Sequence, residues 1–260
     1  MDARSIHFSC TLCGQCCHDL RLPLSLNEAE SWLKDDGELE IFVEAIPWPS
    51  EPPGDNLQAA HKKGRSFPAM CGALPIRVIA TFVASFSGPC PNLLDDMRCG
   101  AYEKRPGVCR IYPAEVNPSL ELVPSTKSCP PDAWTAEKPL YLAQGRLMDA
   151  ATVELIKQAR LADIVDAPRK DDICNVLGLR HCALANEGFS VFKVDRDAAL
   201  NAMEKSRGRV AGETLASQWT FVSNQRRSVE TLNSIDARCI FATSEPEATY
   251  RYLGFLEAAP

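Results

Sequence analysis

Residues 10–17 read C-T-L-C-G-Q-C-C, and His18 and Asp19 follow directly. Four cysteines in eight residues have no packing rationale, because a free buried cysteine acts only as one small apolar side chain. Cys10, Cys13 and Cys16 fall three residues apart. A C-x-x-C turn lets two thiolates converge on one metal, and Gly14 stands where such a turn often needs a positive φ. Cys17 is adjacent to Cys16, and neighbouring side chains point in different directions. Both can serve one small ion only with strain, so the simpler reading gives them to different centres, or leaves one as packing or as a thiol beside the metal.

A third thiolate at the same spacing resembles the C-x-x-C-x-x-C run of iron–sulfur proteins, whose fourth ligand is remote and often precedes proline. Two cysteines have that context, Cys90 before Pro91 and Cys129 before Pro130. Cys99 and Cys109 lie between them. With the opening four these make eight thiols, enough for two tetrahedral zinc sites, or for one cubane cluster and one other site. The count does not choose. Cys174, Cys182 and Cys239 are isolated in ordinary globular contexts and read as buried packing residues, and Cys71 leans the same way.

The whole chain has 260 residues, a formal net charge of −6 and a pI near 5.4. That balance argues against a general nucleic-acid or anionic-membrane binder, which is usually basic. No apolar run approaches the roughly 20 residues of a membrane span. The opening residues have no apolar signal-like stretch, so the expected location is cytoplasmic. In a reducing compartment such a cysteine cluster points to metal or catalysis rather than disulfides. There is no G-x-x-x-x-G-K-[ST], G-x-G-x-x-G, H-E-x-x-H or G-x-S-x-G, so nothing suggests a nucleotide site or a serine nucleophile.

The expected fold class is α+β: an irregular, metal-stapled, cysteine-rich N-terminal module over residues 1–135, then a small mixed α/β region over 136–260. Ser25 and Glu28 have capping-box spacing, with Ala29, Trp32 and Leu33 giving the helix an apolar face. Residues 47–67 are rich in proline, glycine and charge and read as a surface loop. Residues 73–86 are strongly apolar with many β-branched side chains, which favours a strand. Residues 87–135 are rich in proline and should be irregular, held by something other than a strand ladder. Residues 140–165 show a helical period. Strand then helix is expected three times after that: 189–194 with Asp195 capping the next helix, 219–223 before a helix through Val229 and Leu232, and 237–243 before a helix starting at Ser244, Pro246 and Glu247.

The eight cysteines then carry a family resemblance. C-T-L-C-G-Q-C-C, C-P-N-L at 90–93, C-G-A-Y-E-K-R-P-G-V-C-R-I-Y-P at 99–113 and Cys129 resemble the YkgJ-type cysteine-cluster family, the CxxCxxCC zinc- or iron-chelating domains. The resemblance covers about residues 8–131. It implies metal chelation by Cys10, Cys13, Cys16, Cys17, Cys90, Cys99, Cys109 and Cys129. One relative, the flagellin lysine methylase, implies that some members are iron–sulfur enzymes acting on protein lysines, so a protein substrate is one expected partner. A thiol-redox or metal-carrier role through Cys16 and Cys17 is the other reading. The triple C-x-x-C spacing and the two Cys-Pro pairs favour iron, as a 4Fe–4S cluster, over zinc. Arg105 and Arg110 flank Cys109 and are candidates to offset cluster charge. Tyr112 reads as a core partner of Ile111 more than as a hydrogen bond to sulfur. His18 reads as a half-exposed side chain, and His181 beside Cys182 as a bystander, since adjacent residues rarely form a nucleophile pair.

Overall fold

The computed structural model describes residues 5–208, 217–242 and 249–258. The protein is mixed α/β, with two sheets and six α-helices among the described residues. It divides into two compact units. The first comprises Met1–Leu24 and Ala84–Ala162, the second Ser25–Val83 and Asp163–Pro260.

The first unit has little ladder. Its one sheet is three short strands: Ile6–His7 runs antiparallel to Leu140–Ala143, which hairpins onto Arg146–Leu147. Between Phe86 and Thr135 the described backbone holds the five-residue helix Gly107–Ile111 and three single 3-10 turns, Tyr102–Lys104, Pro124–Thr126 and Pro131–Trp134. This is the irregular course that its prolines predict. The core is correspondingly small. Phe8, Ile111, Ala114, Ala133, Tyr141 and Ile156 are its buried members. Phe8 packs on Trp134 and Tyr141 at ring-centroid distances of 4.7 and 5.2 Å.

The helix expected over 140–165 is corrected at its start. Gln144 and Gly145 take φ of 49° and 73°, the left-handed pair that a two-residue hairpin turn requires. The helix begins only at Ala150 and runs to Val176. Asp149 starts it, its carboxylate accepting the Thr152 N–H at 2.8 Å, which satisfies a donor that the first turn leaves free.

The second unit is built on a mixed sheet. Leu39–Pro47 runs parallel to His181–Leu184 and antiparallel to Gly188–Lys193. Thr220–Ser223 lies parallel between His181–Leu184 and Cys239–Phe241. The helices Arg196–Lys205 and Arg226–Asn233 fall between these parallel strands in sequence, as parallel crossovers require. Leu74–Ser85 is a strand, as its β-branched residues predict. Ile76, Val78, Ile79, Ala80, Phe82 and Val83 are all buried, so both of its faces are covered. It hairpins with Phe67–Cys71.

Two caps read from sequence are formed. Ser25 and Glu28 exchange both capping-box bonds at the helix Leu26–Lys34, which buries Leu26, Ala29 and Leu33. Asp195 accepts the Ala198 N–H at 2.9 Å to open Arg196–Lys205. Residues 47–67 are not wholly loop, because Asn56 caps a helix over Leu57–Gly64. The helix start expected at Ser244, Pro246 and Glu247 lies outside the described residues.

Candidate metal centre

The structure sorts the twelve cysteines into two populations. Cys71, Cys174, Cys182 and Cys239 lie in the second unit and are buried. Three of their thiols donate to backbone carbonyls: Cys71 to Arg238 at 3.1 Å, Cys182 to Thr220 at 3.7 Å and Cys239 to Ile240 at 3.9 Å. The His181 ring lies 4.8 Å from the Tyr250 ring, tilted 31° to it. Burial pushes Cys174 up to about 12 and Cys239 up to about 12, from an ordinary 9.0. The folded state therefore keeps these protons where the unfolded chain sheds them. The associated stability is complete below pH 9 and is lost as pH rises toward 12. Thermal melts followed by the fluorescence of buried Trp219 should show a midpoint falling across that window. Serine at Cys174 should flatten the fall.

Cys10, Cys13, Cys16, Cys17, Cys90, Cys99, Cys109 and Cys129 all lie in the first unit, and none is buried. Their backbone is shaped by turns. Leu12 and Gly14 take φ of 57° and 68°, and the Cys17 N–H closes onto the Gly14 carbonyl at 2.9 Å. A Cβ on Gly14 would meet the Met97 carbonyl oxygen at 2.5 Å. Glycine is therefore required twice, for its φ and for the close approach of the 97 loop. Gly14→Ala should cost about 2 kcal/mol from the backbone conformation alone, with the clash added. The expected result is a lower melting midpoint and reduced metal retention in the same preparation.

The turn is tied to the 88–100 segment. The Asp19 N–H donates to the Gly88 carbonyl at 2.8 Å, and Gly88 returns its N–H to the Asp19 carboxylate at 2.6 Å. The Cys90 N–H donates to the Cys17 carbonyl at 2.8 Å. Leu93 and Cys99 form an antiparallel bridge, and the Gly100 N–H reaches the Asn92 carbonyl at 2.7 Å. On the other side, the Ser9 N–H donates to the Ala133 carbonyl at 3.0 Å, which sets Cys10 beside the 129–133 turn.

Through-space neighbours follow this wiring. Cys16 has Cys129, Cys10 and Cys13 as charge neighbours, and Cys129 has Cys10 and Cys13. Cys17 has Cys16 first, then Cys90 and Cys99, and Cys109 has Cys17, Cys90 and Cys99. The two sets meet where the Cys17 thiol donates to Cys16. Burial is the first cause that raises these thiols, and mutual repulsion adds to it: Cys17 and Cys109 are each pushed up to about 12. Such a cluster resists ionising on its own, and a bound cation inverts that balance.

Two further side chains attend the sulfurs. Arg105 favours the Cys109 thiolate by its charge and lies 3.7 Å over the Tyr102 ring. Tyr112 is half-buried, and its hydroxyl accepts the Ser128 N–H at 2.7 Å and hydrogen-bonds Cys129, the second of the two roles the sequence offered it. Lys127 also favours the Cys129 thiolate, while 5.6 Å above the Tyr112 ring. Arg110 is exposed on the Gly107–Ile111 helix, and His18 is half-buried beside its backbone bridge to Pro89. Among the described residues, no three His, Cys, Asp or Glu side chains converge closely enough to enclose an ion. The donor chemistry nevertheless suits a soft metal: eight thiols in one irregular unit.

Residues 9–130 match the model of the CxxCxxCC family, described as a putative zinc- or iron-chelating domain. No curated protein and no solved structure matches the chain.

Proposed function

We propose, from the CxxCxxCC domain at residues 9–130, that the protein binds metal through Cys10, Cys13, Cys16, Cys17, Cys90, Cys99, Cys109 and Cys129. The observation that carries this reading is the separation of the cysteines. Eight gather in an irregular unit, one exposed and seven half-buried, while the other four are buried in a unit that has its own sheet. Packing explains the second set; in the first set it accounts for Cys129, which lies against the Phe8 cluster, and not for the grouping of the eight. The metal would act as the staple that the small core of the first unit lacks, since thiolate sites contribute folding free energy directly.

The preferred form is iron as a 4Fe–4S cluster, with zinc as the alternative. The C-x-x-C-x-x-C run and the Cys-Pro contexts of Cys90 and Cys129 support iron–sulfur. Arg105, Tyr112 and Lys127 would then offset negative charge on sulfur, a role that tunes such centres. Bound in this way, the group would supply either a closed cross-link or an electron store. Metal and acid-labile sulfide analysis of anaerobically purified protein, with its visible spectrum, tests the reading. Iron with matching sulfide and a brown absorbance is expected. Colourless protein holding zinc would keep metal binding and make the site structural, and protein without metal would overturn it.

A further inference from the structure

We propose that the exposed face of the long helix Ala150–Val176 is a docking surface for a second copy of this chain, the two helices meeting antiparallel about a two-fold axis between Ile164 and Val165. Leu161, Ile164 and Val165 are 60%, 54% and 61% exposed, and Pro168 is exposed with them. Their positions follow the i, i+3, i+4, i+7 spacing of a single helix stripe. The same helix buries Ile156, Ala167, Ile173 and Cys174, so its contribution to the core is made by other positions. Neighbouring apolar side chains in one exposed stripe form a patch, and such patches mark interaction sites where scattered apolar residues do not.

Symmetry and charge identify the occupant. The stripe is symmetric about its own midpoint. A two-fold axis there sets Ile164 against Val165 of the second copy, and Leu161 against Pro168 of the second copy, so the apolar contact alone fixes the register. That register brings Lys157 opposite Asp172 of the second copy, and Glu154 opposite Asn175. Lys157 is 69% exposed and lies one turn before Leu161, while Asp172 lies one turn after Pro168. Opposite charges therefore close both ends of the apolar contact. A parallel pairing would set Lys157 against Lys157 and Asp172 against Asp172. Lys157 also stands 3.8 Å from Glu154 of its own helix, an exposed pair that holds it only weakly. Self-complementarity about a two-fold axis is what a homodimer interface requires, and antiparallel helices crossing at about 20° keep such a stripe in contact. A single stripe falls short of the roughly 1,200 Å² of a standard interface, so the dimer should be weak.

The test is sedimentation equilibrium on the full chain as purified, with reductant present to exclude disulfide-linked dimers, at up to about 200 µM, where weak association is measurable. Wild type should show a monomer–dimer equilibrium. Val165→Glu puts an unpaired charge into each half of the contact and should weaken association by about 100-fold, tenfold for each symmetric copy. Its circular dichroism should match wild type, because the side chain is exposed in the single chain. Lys157→Asp sets like charge against Asp172 and should weaken association by about tenfold, and adding Asp172→Lys should restore it. Should Val165→Glu disturb the fold, the charge reversal and its rescue decide by themselves. A wild type that stays monomeric overturns the proposal. So does a dimer indifferent to Val165→Glu, or a charge reversal that its partner substitution fails to rescue.

Discussion

Stripping the metal is expected to unfold the first unit and leave the sheet of the second in place. The apolar cluster of the first unit around Phe8, Ile111 and Tyr141 is small, and among the described residues the sheet lying wholly within it is three short strands. Structural thiolate sites in small domains contribute about 10–16 kcal/mol, comparable to the whole stability of a typical domain at about 5–15 kcal/mol. A unit of this kind has no reserve against such a loss. The second unit fully buries Phe82, Trp219, Phe221, Ile41, Ile79 and Ile173 within its own sheet and helices, a core of ordinary kind. Hydrogen exchange read by mass spectrometry separates the two. After chelation, the amides of Cys17, Cys90, Leu93 and Gly100 should lose protection. The amides of Thr220 and Phe221, bonded at 2.8 Å to the Arg180 and Arg238 carbonyls, should keep it. Protection that survives in the first unit would show that its apolar cluster suffices, and metal would then be cargo instead of staple.

What was legible in the sequence is what is decided locally. The Ser25–Glu28 box and the Asp195 cap are fixed by residues three apart, and both formed as read. The strand Leu74–Ser85 announced itself through β-branched residues buried on both faces. The hairpin at 140–147 was hidden because Leu147 also falls in the helical period of Ala150, Ala151 and Leu155 that follows it. The Gln144–Gly145 turn was the signal that should have divided them. The parallel pairing of Leu39–Pro47 with His181–Leu184 joins segments far apart in sequence, and no local feature of either records the other. In the candidate site, the turn at Gly14 and the uncommitted role of Cys17 were readable from spacing. The companions of each cysteine were not, because loop closure sets which of Cys90, Cys99, Cys109 and Cys129 returns to which thiol. The bond from Tyr112 to sulfur was ranked below core packing for a related reason. Its place beside Cys129 depends on Ser128 returning to it across sixteen residues.

Replacing Asp163 by asparagine is expected to destabilise the second unit by about 3 kcal/mol while leaving metal content unchanged. The Lys170 side chain is 3% exposed, and its ammonium lies 3.3 Å from the Asp163 carboxylate. Both stand on the long helix Ala150–Val176, seven residues apart. Desolvating an ammonium is costly, and removing its counter-charge leaves that cost without compensation, typically about 3–5 kcal/mol. The lower end applies here, because Asp163 is 26% exposed and some water already screens the pair. For a unit of this size the midpoint should fall by about 10 °C. Methionine at Lys170 removes the charge together with its need for a partner, so Lys170→Met should be nearly neutral. It should also rescue much of the loss when combined with Asp163→Asn. Arg65, whose Nε is 4.0 Å from Asp163, also loses a neighbour in the single variant, so the rescue should be incomplete. A harmless Asp163→Asn would mean that the Lys170 ammonium reaches water without its partner. The stability of the second unit would then rest on apolar burial alone.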